Sequence, residues 1–149
     1  MTERHPGLER FEVLVGTWNV TGHVDGPEGE IQGQVRFEWY PGGHFLVQHA
    51  DLVHLGHVVH GIEYIGYGRD YSGAVPKDCT SHLFDADGNH FIYVWELEGS
   101  ELTIWGGEVG SPAFYKGTFS ADWNVLPGAW VWPGGGYSST STRVSTRMT

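Results

Sequence analysis

Tight-turn signals cut the chain into short apolar stretches, and this punctuation limits the fold more than any single motif does. Pro41-Gly42-Gly43 separates the alternating run Val35, Phe37, Trp39 from His44-Phe45-Leu46-Val47-Gln48-His49. Asp87-Gly88 stands before Phe91-Ile92-Tyr93-Val94-Trp95, and Glu98-Gly99-Ser100 before Leu102-Thr103-Ile104-Trp105. Apolar side chains at every second position, bounded by residues that accept positive φ, read as strands joined by hairpins. Gly61 to Tyr67, Thr80 to Asp85, Phe114 to Phe119, Ala129 to Trp132 and Tyr137 to Val144 continue the pattern. With the first strand after Gly16, the count is about nine to ten strands at roughly 8–12-residue spacing.

The 23 glycines would be costly in helices and are natural at frequent turns. Only GLERFEVLVG carries a helical spacing, at Leu8, Phe11, Leu14 and Val15, and Gly16 is placed to stop it. No linker or repeat divides residues 1–149, so one domain is expected. Loops are expected at Gly26 to Gly29, at Ser72 to Lys77 and over the final few residues. Short sequential connections favour an all-β, antiparallel up-and-down barrel over a Greek-key sandwich. A barrel of that size holds one small ligand.

Composition narrows the function classes. The formal net charge is −10, and the eight Lys and Arg are scattered, so neither nucleic acid nor an anionic membrane is an expected partner. Cys79 is the single cysteine, so no internal disulfide forms; it reads as a small buried strand residue. MTERHPGLERFEVLVG lacks the apolar core of a signal peptide, which makes the cytoplasm the expected compartment. Several strands, such as Phe91 to Trp95, are apolar on both faces. One face would fill the barrel and the other would need cover, which leaves room for a homodimer.

Leu14-Val15-Gly16-Thr17-Trp18-Asn19-Val20-Thr21-Gly22 resembles the opening of lipocalin and calycin barrels. The segments Phe37 to Leu46, Ile65 to Asp70, His82 to Gly88 and Trp132 to Tyr137 extend the likeness, in order, to a bacterial lipocalin-like family of uncharacterised domains. The resemblance implies a barrel with a cavity, in which Trp18 plugs one end and Arg143, from the last strand, packs across its ring. Nitrobindin-type heme barrels are a weaker likeness. Val20 stands where that family has a glycine, and the last histidine is His90, so no histidine from the final strands can ligate iron. No cofactor is expected.

Candidate chemistry follows from position. Glu63 interrupts an otherwise apolar and aromatic strand, where a carboxyl turned inward would have its pKa raised and could serve as an acid or base. His82 is its candidate partner. Trp39, His49, Tyr93, Trp105, Tyr115 and Trp130 are the candidate ligand-binding residues, with Trp95 and Trp132 as further aromatic liners. His54, His57 and His60 are spaced by three, which along a strand sends neighbours to opposite faces. They are read as solvated loop histidines and not as a metal site. The expected function is binding of a small hydrophobic or aromatic molecule. The alternative is a cofactor-free isomerase, cyclase or lyase using Glu63 and His82.

Overall fold

The computed structural model describes residues 3–23, 30–54 and 56–145. The expected loop at Gly26 to Gly29 and the final residues 146–149 lie outside them. A nine-residue 3-10 helix, Pro6–Leu14, is followed by ten strands: β1 Gly16–His23, β2 Glu30–Trp39, β3 Phe45–His54, β4 His57–Gly66, β5 Cys79–Asp85, β6 His90–Glu98, β7 Glu101–Gly106, β8 Phe114–Thr118, β9 Val125–Trp132 and β10 Gly135–Ser145. Each pairs antiparallel with its sequence neighbour, and β1 pairs with β10, so the sheet closes into a barrel. Ser72 to Lys77 is loop, as expected. Among the described residues no helix is long and apolar enough to cross a membrane.

The helix forms for local reasons and is 3-10 for a packing reason. Pro6 opens it with φ already set, and the His5 imidazole accepts a hydrogen bond from the Gly7 amide at 2.9 Å. Leu8, Phe11 and Leu14 are buried, a spacing of three that matches three residues per turn and aligns them on one side. That side plugs one end of the barrel. The sequence places the stop correctly: Gly16 has φ of 129°, in the region that favours glycine. Outside the barrel, Arg10 donates to the Leu97 carbonyl at 3.0 Å, and Arg4 donates to the Gly43 carbonyl at 2.7 Å while lying over the Trp39 ring.

Arg143 joins the plug to the seam. Its guanidinium carbon lies 4.2 Å from the centre of the Trp18 ring, as the calycin likeness implies. It donates to the carbonyls of Val13, Val15 (2.7 Å) and Trp123 (3.1 Å), and to the Asn124 side chain at 3.0 Å. Two of these satisfy carbonyls left open where the helix ends. Trp18 is itself buried, and its indole N–H donates to the Leu14 carbonyl at 2.9 Å. A bulge at Val144 in the β1–β10 ladder brings Trp18 opposite Arg143.

Strand boundaries differ from the sequence reading where the signal is polar. β2 begins at Glu30, β4 at His57 and β9 at Val125, several residues earlier than the apolar runs. His54 ends β3 and His57 and His60 lie in β4, so all three stand in strands and not in a loop. His57 meets Asp87 at 2.7 Å, His60 meets Asp51 at 2.5 Å, and His54 faces the barrel mouth.

Truncating Trp18 to Ala should lower the unfolding free energy by about 3–5 kcal/mol, the cost of removing a buried aromatic. Urea denaturation followed by far-UV circular dichroism measures it. An unchanged midpoint would contradict the role given to Trp18.

Candidate functional site

The helix closes one end of the barrel, and the hairpins β3–β4, β5–β6 and β9–β10 frame the other. Between plug and mouth lies a cavity of about 760 Å³. Its walls follow from strand parity. On β6 the odd positions Phe91, Tyr93 and Trp95 point in, while Glu96 points out. On β9 and β10, Leu126, Trp130, Trp132, Tyr137, Ser139 and Ser141 point in.

Three of the six expected ligand-binding residues line this space. Trp130 stands between Tyr93 and Tyr115, with ring centroids 5.7 and 5.6 Å away. The Tyr115 phenol lies in a notch made by Gly117 and Gly128, where an added Cβ would come within 2.6 and 2.3 Å of its hydroxyl oxygen. Burial pushes the phenols of Tyr93 and Tyr137 up to about 12, and that of Tyr115 upward as well. All three stay neutral at ordinary pH. Their hydroxyls have no hydrogen-bond partner among the described residues, so each is a free donor and acceptor within the cavity wall.

The other three lie elsewhere. Trp39 packs at the plugged end, its N–H donating to Glu12 at 3.0 Å. Trp105 shares its parity with Thr103, faces outward and donates to Glu96 at 2.5 Å. His49 is on the outer face of β3, 2.9 Å from Glu38. With Val94, Phe114 and Val131, Trp105 makes an apolar row across the outer faces of β6 to β9.

Glu63 faces inward and is 4% exposed. It sits on the cavity floor, one layer above the plug, because its neighbour Trp95 packs edge-on against Phe11 of the helix at 6.3 Å. Ser81 donates to its Oε2 at 2.6 Å, Trp95 Nε1 approaches the same oxygen at 3.2 Å, and Gln48 Nε2 donates to Oε1 at 2.7 Å. Ser81 also accepts from Trp95 at 3.0 Å, which fixes the hydroxyl's own direction. Burial outweighs these donors and pushes the Glu63 carboxyl up from 4.5 to about 7. Burial, then the nearby Glu63 charge, lifts Cys79 to about 12.

His82 does not meet Glu63. It lies outward on β5, exposed, with its ring stacked on that of His90 and the nearest nitrogens 3.0 Å apart. β5 instead offers Ser81 and Leu83 to the interior. Gln48, Ser81 and Tyr137 are the site residues that sequence reasoning missed. The inward parity of β10, Tyr137-x-Ser139-x-Ser141, is a usable signal once Arg143 is fixed inward. Nothing in the sequence distinguishes Gln48 or Ser81 from outward polar residues.

No family model matches the chain, and no curated protein sequence matches it. Among solved structures, a de novo designed fluorescence-activating β-barrel is similar, at 15% identity and a TM-score of 0.48, covering 94% of this chain and 100% of the designed one.

The raised Glu63 pKa makes stability depend on pH in a definite direction. A carboxyl protonated more readily in the folded than in the unfolded state contributes fully below 4.5, and that contribution is lost as pH rises through about 7. A shift of this size withholds roughly 3 kcal/mol from the ionised form. Glu63→Gln should therefore stabilise the protein by about 1–3 kcal/mol above pH 8 and hardly at all near pH 4.5. Thermal unfolding of both proteins across this range checks it, and a gap independent of pH would refute it.

Proposed function

We propose that this barrel binds a small, flat, largely apolar organic molecule between the helical plug and the open mouth. The observation that carries the reading is the cavity of about 760 Å³, walled by Tyr93, Trp95, Tyr115, Trp130 and aliphatic side chains. It falls in the size range of small-molecule sites, roughly 300–1,000 Å³, with the usual mixture of apolar wall and a few polar groups. Tyr93, Tyr115 and Tyr137 add hydroxyls without partners among the described residues, which suits a ligand carrying polar atoms along its length. The plug, the Gly16-x-Trp18 opening and Arg143 over the indole support a place among lipocalin-like, calycin-type barrels. A cytoplasmic setting is part of the reading.

A second reading rests on Glu63 alone. A carboxyl poised near pH 7 on a buried floor, its direction fixed by Ser81, Trp95 and Gln48, has what a general base or acid needs. In that reading the barrel is a cofactor-free isomerase, cyclase or lyase. His82 plays no direct part, because it stands on the opposite face of the sheet.

The neutral dye Nile red tests the first reading. The protein should enhance its fluorescence saturably. Ala50→Trp, which places an indole at a lining position on β3, should weaken binding at least about tenfold, or 1.4 kcal/mol. No uptake by the parent protein, or equal uptake by the variant, contradicts it. For the second reading, α-proton exchange of 2-tetralone in D2O, followed by NMR, should be accelerated by the parent and not by Glu63→Gln. Equal rates remove the acid–base role.

A further inference from the structure

The charges lining the cavity are one-sided. Glu63 lies on the floor and Asp85 near the mouth, His54 at the mouth is the one lining imidazole, and no Lys or Arg is among the described lining residues. Arg143, the cation nearest the Trp18 end, gives its N–H groups to Val13, Val15, Trp123 and Asn124. An anionic head group reaching the floor would therefore find no Lys or Arg there and stop against a carboxyl. A buried, unpaired charge is the costliest group to place in an apolar site.

Hydrogen bonding on the floor is one-sided in the same sense. Ser81 and Trp95 hold Glu63 Oε2 from the wall side, and Ser81 is not part of the cavity lining. Oε1 receives only the Gln48 amide, and Gln48 does line the cavity. With its N–H2 turned to Glu63, Gln48 presents a carbonyl that has no donor among the described residues. The floor thus offers two acceptors side by side, Glu63 Oε1 and the Gln48 carbonyl. An ammonium has three donors and no acceptor, whereas a ketone, ether or carboxylate brings only acceptors. The aromatic rings nearest the floor, Trp95 and Tyr93 with Trp130 beside it, favour cations over their faces.

We infer that the cavity selects a hydrophobic amine, bound with its ammonium head on Glu63 and Gln48 and its apolar body among the aromatic rings towards the mouth. This rests on the binding reading and narrows its ligand class. The protein's formal charge of −10 acts in the same direction at long range, drawing cations towards it.

A proton signature follows. The titratable groups that face Glu63 are Cys79 on β5 and Tyr93 on β6, both neutral near pH 7, while β3 contributes the uncharged Gln48 beside it and His54 farther off, at the mouth. Asp85, at the rim, is held below the usual carboxylate range by Asn89. Near pH 7 the free protein holds Glu63 partly protonated. An arriving ammonium favours the carboxylate, so binding expels a proton. A neutral ligand of the same shape expels none, and a carboxylate ligand takes one up.

Tryptamine, tryptophol and indole-3-propionate share a ring and a two-carbon arm and differ in the end group: an ammonium, a hydroxyl and a carboxylate. Isothermal titration near pH 7, in two buffers of different ionisation enthalpy, compares their affinities and proton linkage. Tryptamine should bind at least about tenfold tighter than tryptophol, with proton release, and indole-3-propionate should bind weakest. In Glu63→Gln the amine should lose its advantage over tryptophol and its proton release. Tryptophol or indole-3-propionate matching tryptamine, or an amine preference that survives in Glu63→Gln, overturns the inference. So does failure of all three indoles in protein that takes up Nile red, and in that case the binding reading stands. Failure of the dye as well removes both.

Discussion

The Arg143 guanidinium is the interaction on which the rest of the barrel depends. A meander closes only when its first and last strands meet, and here the meeting residues are 125 positions apart in sequence, Trp18 and Arg143. Little local structure helps such a contact form, so its loop-closure cost falls on whatever holds the seam. Arg143 holds it by serving three partners at once: the Trp18 ring, the open carbonyls at the helix end and the β8–β9 loop. The loop accepts a strained conformation in return. Trp123 has φ of 64°, unusual for a large side chain, and its carbonyl is one of Arg143's acceptors. A lysine could supply the charge but not the planar fork that reaches several carbonyls while stacking on an indole.

Fixing the plug at one end gives the cavity its polarity. Leu8, Phe11 and Leu14 fill the end below Trp95, so the interior is solid there and hollow towards the mouth. The hollow is bounded by rings that pack on each other instead of across the barrel. Trp130 bridges Tyr93 and Tyr115, and Tyr115 folds back into the Gly117–Gly128 notch. Larger residues at those glycines would drive the phenol into the lumen. The two glycines therefore keep the space open, whereas a barrel built only for stability would fill it.

The strand order and count were legible because turn chemistry and alternation are local properties. Asp87-Gly88 and Glu98-Gly99 mark hairpins whatever the rest of the chain does. Gly16 as a stop and Arg143 as the partner of Trp18 were legible too, the second only through the calycin likeness. Parity was the weak link, because alternation shows that two faces exist without saying which is inner. On β6, two carboxylates, Glu96 and Glu98, fall on one parity and Tyr93, Trp95 and Leu97 on the other, which sends the second set in. The same logic on β7, where Leu102 and Ile104 alternate with Thr103, puts Trp105 outside. On β4, His60, Ile62 and Tyr64 oppose Gly61, Glu63 and Ile65, and neither set is clearly the apolar one. The expected pairing of Glu63 with His82 failed at this point: the two lie on adjacent strands with opposite parity, and side-chain period two admits no compromise.

Glu63 is what separates this interior from an ordinary apolar core. Its three donors lower its pKa, yet burial still prevails, so the carboxyl is left balanced between two protonation states. Each state presents a different floor to the cavity. Protonated, it can donate to a carbonyl oxygen, and the amide of Gln48 is free to turn with it. Ionised, it and the Gln48 carbonyl offer only acceptors, which favours a donor-rich cation. A ligand that binds one form shifts the balance by its own differential affinity and by no more than that. The choice between a binding barrel and an acid–base catalyst therefore depends on what the ligand carries at its inner end. A head group that keeps its protons makes Glu63 a counter-ion. One with an acidic C–H beside a carbonyl makes the same carboxylate a base, with no change in the protein.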